Sequence, residues 1–230
     1  MTATSYEIRG AEQLIVYLVR HGETDWNKIG KIQGHADVPL NEYGRRLAVL
    51  TAEGLRDVPF EKVYSSPLKR ARETADIIQG DRGLEIADDD RLMEMGFGDG
   101  EGKMIRKVCR NPFCRLHNFF RHPQWYRIPP KGGETFRDLH RRTVSFMKEE
   151  VAPLEGTYDY VLVSTHGGVI HEVLCWIGNI RRADFWKGAQ NNCSVNILEC
   201  RDGHFRVLEA GKIYYRPEEQ SETEKLTGKA

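Results

Sequence analysis

Two short apolar runs govern what this chain can become. Leu14 to Arg20, LIVYLVR, and Tyr160 to Thr165, YVLVST, are apolar at successive rather than alternate positions. That is the pattern of strands covered on both faces, which need helices above and below them. The helices are legible too. Asn41 can cap one that reaches about Leu55. KVYSSP is a short strand stopped by Pro67, with Ser66 as cap of a helix from Pro67 to about Gln79. Thr135 opens a helix expected to run through Val151 and to end at Pro153, and another begins at Val169 and ends at Ile177. CSVNILEC reads as a late strand, followed by a turn at Gly203 and a strand from Phe205 to Leu208. Strands alternating with helices predict an α/β fold, a three-layer αβα sandwich with a mostly parallel central sheet. The 230 residues suit a single domain over 1–215, and the polar stretch 216–230 has little to bury.

Both apolar runs end in a histidine followed by glycine. Arg20, His21, Ser65 and His166 all fall at the carboxyl ends of strands, where such sheets bind their ligands. A single histidine there is as easily a core residue or a metal ligand. The metal reading lacks support, because His171-Glu172 is followed by Val-Leu-Cys and no H-E-x-x-H is completed. GFGDGEGKM departs from the nucleotide-binding G-x-x-x-x-G-K-[ST] at both ends. Neither a metal nor another cofactor is therefore expected. Phosphate fits better: Arg20 and Arg70 offer forks of donors whose charge does not titrate away. The glycines after His21 and His166, Gly167 among them, let backbone N–H groups approach an anion at a helix start. Arg72 is assigned to a solvated helix face.

Charge narrows the partners. Lys+Arg and Asp+Glu both number 34, which marks neither a polyanion binder nor an acidic solvating protein. No apolar run approaches the roughly 18 residues of a membrane span. The opening residues lack the apolar core of a secretory signal, and the five cysteines form no CxxC pair, so a cytoplasmic location is expected. Between 103 and 131, however, lie eight cations (Lys103, Arg106, Lys107, Arg110, Arg115, Arg121, Arg127, Lys131) and no acid, which leaves the rest of the chain net acidic. Phe113, Phe119, Phe120, Trp125 and Tyr126 are interleaved with them. The run reads as a solvated face, as a lid attracting a substrate with extra negative charge, or, least favoured, as a dock for nucleic acid or an acidic protein.

The stretches LVRHGETDWN, IQGHADVPLNEYG, SSPLKRARETA, RLMEMGFGDGEGK, PPKGGETFRDLHRR and VSTHGGVIHEVL, in that order, resemble the successive signatures of the histidine phosphatase superfamily, which contains phosphoglycerate mutases and many phosphomonoesterases. The resemblance implies that His21 attacks phosphorus as a neutral imidazole, its tautomer held by a backbone carbonyl just after it. It implies that Arg20, Arg70 and His166 bind the phosphoryl oxygens, that Asn27 is a further phosphate contact, and that Glu94 donates the proton. A carboxyl beside a phosphate disfavours a second negative charge, which suits that role. Residues about 101–132 would form a helical lid insertion over the active site, with Arg106, Arg110, Arg115 and Arg121 as candidate substrate contacts. PP-x-GGE-T resembles the phosphatase branch, that of broad-specificity and α-ribazole phosphatases. The implied partner is a small-molecule phosphate ester with further negative charge; a mutase is the alternative, and a homodimer is compatible with the reading. One departure stands out. Where family phosphatases often read F-G-x-W-E-G, this chain has Gly100 in place of the indole, which predicts a looser pocket wall.

Overall fold

The computed structural model describes residues 13–216. The readings made of the opening residues, and of the tail apart from Arg216, lie outside the described residues. The chain runs β1 (Leu14–Arg20), α1 (Asp25–Lys28), α2 (Glu42–Gly54), β2 (Lys62–Ser65), α3 (Lys69–Gln79), β3 (Ile86–Asp88), α4 (Ile105–Arg110), α5 (His117–Arg121), α6 (Phe136–Phe146), β4 (Tyr160–Thr165), α7 (Gly167–Ile177), β5 (Val195–Arg201) and β6 (His204–Lys212). The sheet order is β3-β2-β4-β1-β5-β6. β1 to β4 pair in parallel with one another, and β5 and β6 add an antiparallel edge. Mostly parallel, with both faces covered, is thus the architecture found.

Alternation of side chains across the strands explains the three layers. Leu14, Val16, Leu18, Val161 and Val163 join Leu139 and Phe146 of α6 and Val169 and Val173 of α7 in one core cluster. Val19, Val63 and Leu162 point the other way, to Leu55 beyond α2 and Ala75 and Ile78 of α3. The continuous apolar runs are what supply both cores at once.

Some element ends differ from expectation. α3 begins at Lys69 with Leu68 as its cap, not at Pro67; the Ser66 hydroxyl does accept the Leu68 N–H at 3.3 Å, but it also faces His166. α6 stops at Phe146 and is continued by a π turn, Met147–Val151, and a 3₁₀ turn, Ala152–Leu154, that contains Pro153. A proline has no N–H for the i−4 bond, so the α ladder cannot carry through it. α7 starts at Gly167, two residues earlier than expected. The three-residue β3 was not foreseen, nor was α1, which Thr24 and Asn27 close with a capping box.

The insertion is pinned by aromatic rings. Phe119, 1% exposed, has Phe97, Phe120, Tyr126, Phe136 and Trp186 within 4.9–5.3 Å of its centroid. Burying such a ring contributes roughly 1.5–3 kcal/mol. Its carbonyl also accepts the Trp186 indole N–H at 2.8 Å. Gly100 is not a gap: a Cβ built there would run into Leu116 Cδ1, and Leu116 is fully buried. The expected looser wall is instead filled from α5's approach. Gly100→Trp should therefore overpack, lowering stability by about 1–3 kcal/mol in urea denaturation. Trimming Leu116 to alanine in the same chain should recover part of that loss; a neutral or stabilising Gly100→Trp would contradict the packing.

Candidate active site

Register builds the site. Arg20 faces Thr165 across β1 and β4, and Ser65 faces Ser164 across β2 and β4. The next residue of each strand, His21, His166 and Ser66, therefore meets the others at one end of the sheet. Because β4 sits between β1 and β2, the chain order reverses there, and such switch points open a crevice. The two imidazole centroids lie 5.1 Å apart.

His21 Nδ1 is 2.7 Å from the carbonyl oxygen of Gly22. A carbonyl can only accept, so Nδ1 carries the proton and Nε2 keeps its lone pair. Burial, and then the neighbouring guanidinium groups of Arg70 and Arg20, hold the His21 pKa well below 6.5. His166 is the complementary tautomer. Its Nδ1 accepts from Arg70 Nε at 3.2 Å, so Nε2 bears the proton and donates to Ser66 Oγ at 2.8 Å. Burial, and after it the charge of Arg70, likewise keep the His166 pKa far below 6.5. The pair is neutral beside two cations, ready for an anion.

Arg70 is completely buried. Besides His166 it donates from Nη1 to the Ala36 carbonyl at 2.8 Å and from Nη2 to that of Gly34 at 2.7 Å. Burial pushes its pKa down to about 10, which leaves it cationic at neutral pH. Arg20 Nη1 donates to the Gln190 carbonyl at 2.6 Å, while Arg20 Nε and Gln33 Nε2 are buried without a partner. An orphaned buried donor is costly, and an anion's oxygens are what such donors suit. Gly167 opens α7 beside Arg20, its would-be Cβ 3.5 Å from Nε. Asn27 holds α1 through its Oδ1, which accepts from the Thr24 N–H and hydroxyl, so its amide N–H groups are what it can offer a ligand.

Glu94 reaches the same crevice. Its Oε1 accepts from the Met95 N–H at 2.8 Å and its Oε2 from the Gly168 N–H at 3.1 Å. A side chain at 168 would collide with that carboxylate, so glycine is required there by close approach. Arg20, His21, Arg70, Glu94, His166 and Gly167 thus come together. Arg106, Arg110, Arg115 and Arg121 are all exposed, and Arg115 donates to the Pro129 carbonyl at 3.2 Å. Arg72 is a surface residue paired with Asp88.

The supporting residues went unread in the sequence. Glu101 accepts from the N–H groups of His35, Ala36 and Phe97, and so seats the loop whose carbonyls grip Arg70. Arg142 donates to the carbonyls of Arg91, Met93 and Glu94 and to the Glu134 carboxylate, which in turn accepts from Gly96 N–H. This brace fixes the turn that carries Glu94. The GGE stretch was the signal for Glu134; Ser66 and Gln33 lie inside SSPLKRARETA and IQGHADVPLNEYG, but their spacing did not mark them as site residues. Among the described residues no group of three or more His, Cys, Asp or Glu is arranged to hold a metal ion. Cys109, Cys114, Cys175 and Cys200 are free thiols, and among the described residues no helix is long and apolar enough to cross a membrane.

Neutral burial of His21 has a consequence for stability. Below the ordinary pKa of 6.5 the unfolded chain takes up a proton at this residue that the native protein refuses. Stability therefore rises with pH up to that value and is lost as pH falls beneath it, by about 1.4 kcal/mol per pH unit for one proton. In His21→Ala the slope of unfolding free energy between pH 6 and 5 should flatten by close to that amount. An unchanged slope would mean that the native imidazole protonates normally.

Residues 16–212 match the histidine phosphatase superfamily (branch 1). The metal-independent phosphoserine phosphatase of Arabidopsis thaliana is 35% identical over 193 residues, covering 81% of this chain and 76% of that protein. Among solved structures, YhfR of Bacillus stearothermophilus superposes with a TM-score of 0.80 at 33% identity, over 87% of this chain and 98% of that one. The α-ribazole phosphatase of Shigella flexneri gives 0.76 at 25% identity, over 86% and 96%. The strand-end histidines and their arginines therefore sit in a known enzyme scaffold, and the chain belongs to the histidine phosphatase superfamily.

Proposed function

We propose that this protein hydrolyses small phosphomonoesters through a phosphohistidine on His21. The observation that carries the reading is the bare Nε2 of a neutral His21, held in that tautomer by the 2.7 Å bond to Gly22 and flanked by Arg20 and Arg70. In the first step the His21 lone pair forms a P–N bond while the ester P–O bond breaks, and Glu94 gives its proton to the leaving alkoxide. In the second, water attacks the phosphohistidine, Glu94 takes the water's proton, and the P–N bond breaks to return neutral His21 and phosphate. Arg20, Arg70 and His166 stabilise the charge spread over the phosphoryl oxygens, with Asn27 and the N–H of Gly167 as further contacts. The chemistry needs no metal on this reading, in keeping with the name of the Arabidopsis relative.

A substrate with a further anionic group is favoured. Phosphoserine, named by that relative, carries a carboxylate. Phosphoserine, α-ribazole phosphate and 3-phosphoglycerate, each compared with an aryl phosphate by kcat/KM, form the substrate panel.

Rapid alkaline quench with phosphoryl-labelled aryl phosphate should trap the phosphoryl group on His21, and His21→Ala should show neither label nor turnover. Label on His166 instead would sink the assignment. Glu94→Gln should slow alkyl phosphates by about 10²–10⁴ and aryl phosphates, whose leaving groups need less protonation, much less; equal losses would remove Glu94 from the acid role. Activity should persist after exhaustive chelation, and restoration by a divalent metal after its loss would overturn the metal-free mechanism.

A further inference from the structure

Away from the histidines, the insertion forms an open groove of about 790 Å³, within the roughly 300–1,000 Å³ of small-ligand sites. None of Arg20, His21, Arg70, Glu94 or His166 lines it. Lys103, Lys107, Arg115 and Lys131 do, with Asp99 as the sole acid among its lining residues. No ion pair neutralises any of these four cations among the described residues. Its floor is apolar, from Val108 and Leu116, and at its edge stands Phe113, 96% exposed. An aromatic ring so exposed contributes nothing to the core, unlike Phe119 only six residues later.

We propose that this groove is a second, non-catalytic site for a small polyanion with a flat apolar body, the class that includes nucleoside polyphosphates. Lysines act on phosphates as point charges from several directions. Three lysines and one arginine would be excessive for one carboxylate and match a chain of phosphates better. The exposed Phe113 face suits stacking on a base, as aromatic platforms do elsewhere. An extended acidic peptide or nucleic acid strand would need a longer run of contacts than a groove of this volume offers. Asp99 and Gly102 of the lining flank Glu101, the residue that seats the Arg70 loop, so the second site adjoins the support of the first without sharing its reacting groups.

The probe is ATP with a methylene group in place of the terminal bridging oxygen, titrated by calorimetry into the whole protein. Saturable one-to-one binding is expected, and it should survive in Arg20→Ala. In Lys107→Gln/Lys131→Gln affinity should fall about tenfold or more, while aryl phosphate turnover stays within about twofold of the unmodified protein, as befits exposed side chains that are not among the reacting groups. Inorganic tripolyphosphate should bind more weakly than the adenosine compound, and Phe113→Ala should erase that difference. Binding lost in Arg20→Ala but untouched by the lysine changes would put the ligand in the reaction pocket and overturn the proposal. So would absent binding, or tighter capture of single-stranded DNA or an acidic peptide by the same lysines. None of these outcomes depends on turnover, so the phosphohydrolase reading stands or falls separately.

Discussion

The parallel pairing of β1 with β4 is the constraint on which the rest depends. Arg20 opposite Thr165 delivers two histidines, one residue later, to the same edge of the sheet. A slip of one residue would turn every side chain of β1 to the opposite face. Leu14, Val16 and Leu18 would leave the core under α6 and α7, and His21 would move away from His166. Register is thus secured by hydrophobic burial far below the site and spent at its top. That is why the strands are apolar on both faces: sheet position, not a local motif, aims the chemistry.

Charge arrangement follows from that geometry. Two guanidinium groups and two imidazoles share one water-poor crevice, and a pair of unit charges about 4 Å apart at an effective dielectric near 20 interacts by roughly 4 kcal/mol. The protein avoids mutual repulsion by keeping both imidazoles neutral, in opposite tautomers set by fixed partners: a carbonyl for His21 and the Arg70 Nε–H for His166. Arg70 remains charged because backbone carbonyls of residues 34 and 36 accept its other N–H groups. Those carbonyls are held by Glu101, so a carboxylate that never meets the arginine directly still fixes its position. Arg142 and Glu134 do the same for Glu94. Rigid second partners are what make first contacts exact enough for phosphoryl transfer.

How much of this was legible in the sequence depended on the range of the interaction. Buried strands, the Asn41 and Thr135 caps, and the residues at strand ends follow from local pattern, and the order of the motifs implied the family. Ser66, Glu101 and Arg142 act through hydrogen bonds between distant segments, which leave no periodic trace. Ser66 was read as a helix cap because proline follows it; only the fold shows that its hydroxyl also meets His166. The vacancy expected at Gly100 was a fair local inference, but Leu116, sixteen residues on, fills it.

The insertion shows where local reading loses its grip. Lys107 and the pair Arg106 and Arg110 all lie on α4, and the charges alone do not say which of them turns toward the groove. What separates them is Val108, 3% exposed, whose burial sets the rotation of α4. With Val108 turned to the core cluster, Lys107 comes to line the groove while Arg106 and Arg110 face solvent. The same logic divides the aromatics: Phe119 anchors the insertion to Phe97, Phe136 and Trp186, and Phe113, at the groove's edge, has no such partners in the core. A charged, aromatic segment of this kind therefore has two sides with different physics. One is packed and fixes the insertion beside the catalytic crevice; the other keeps its cations unpaired and open. Selection for substrate capture alone would draw the cations toward His21, and the fold does not do that with the groove's four.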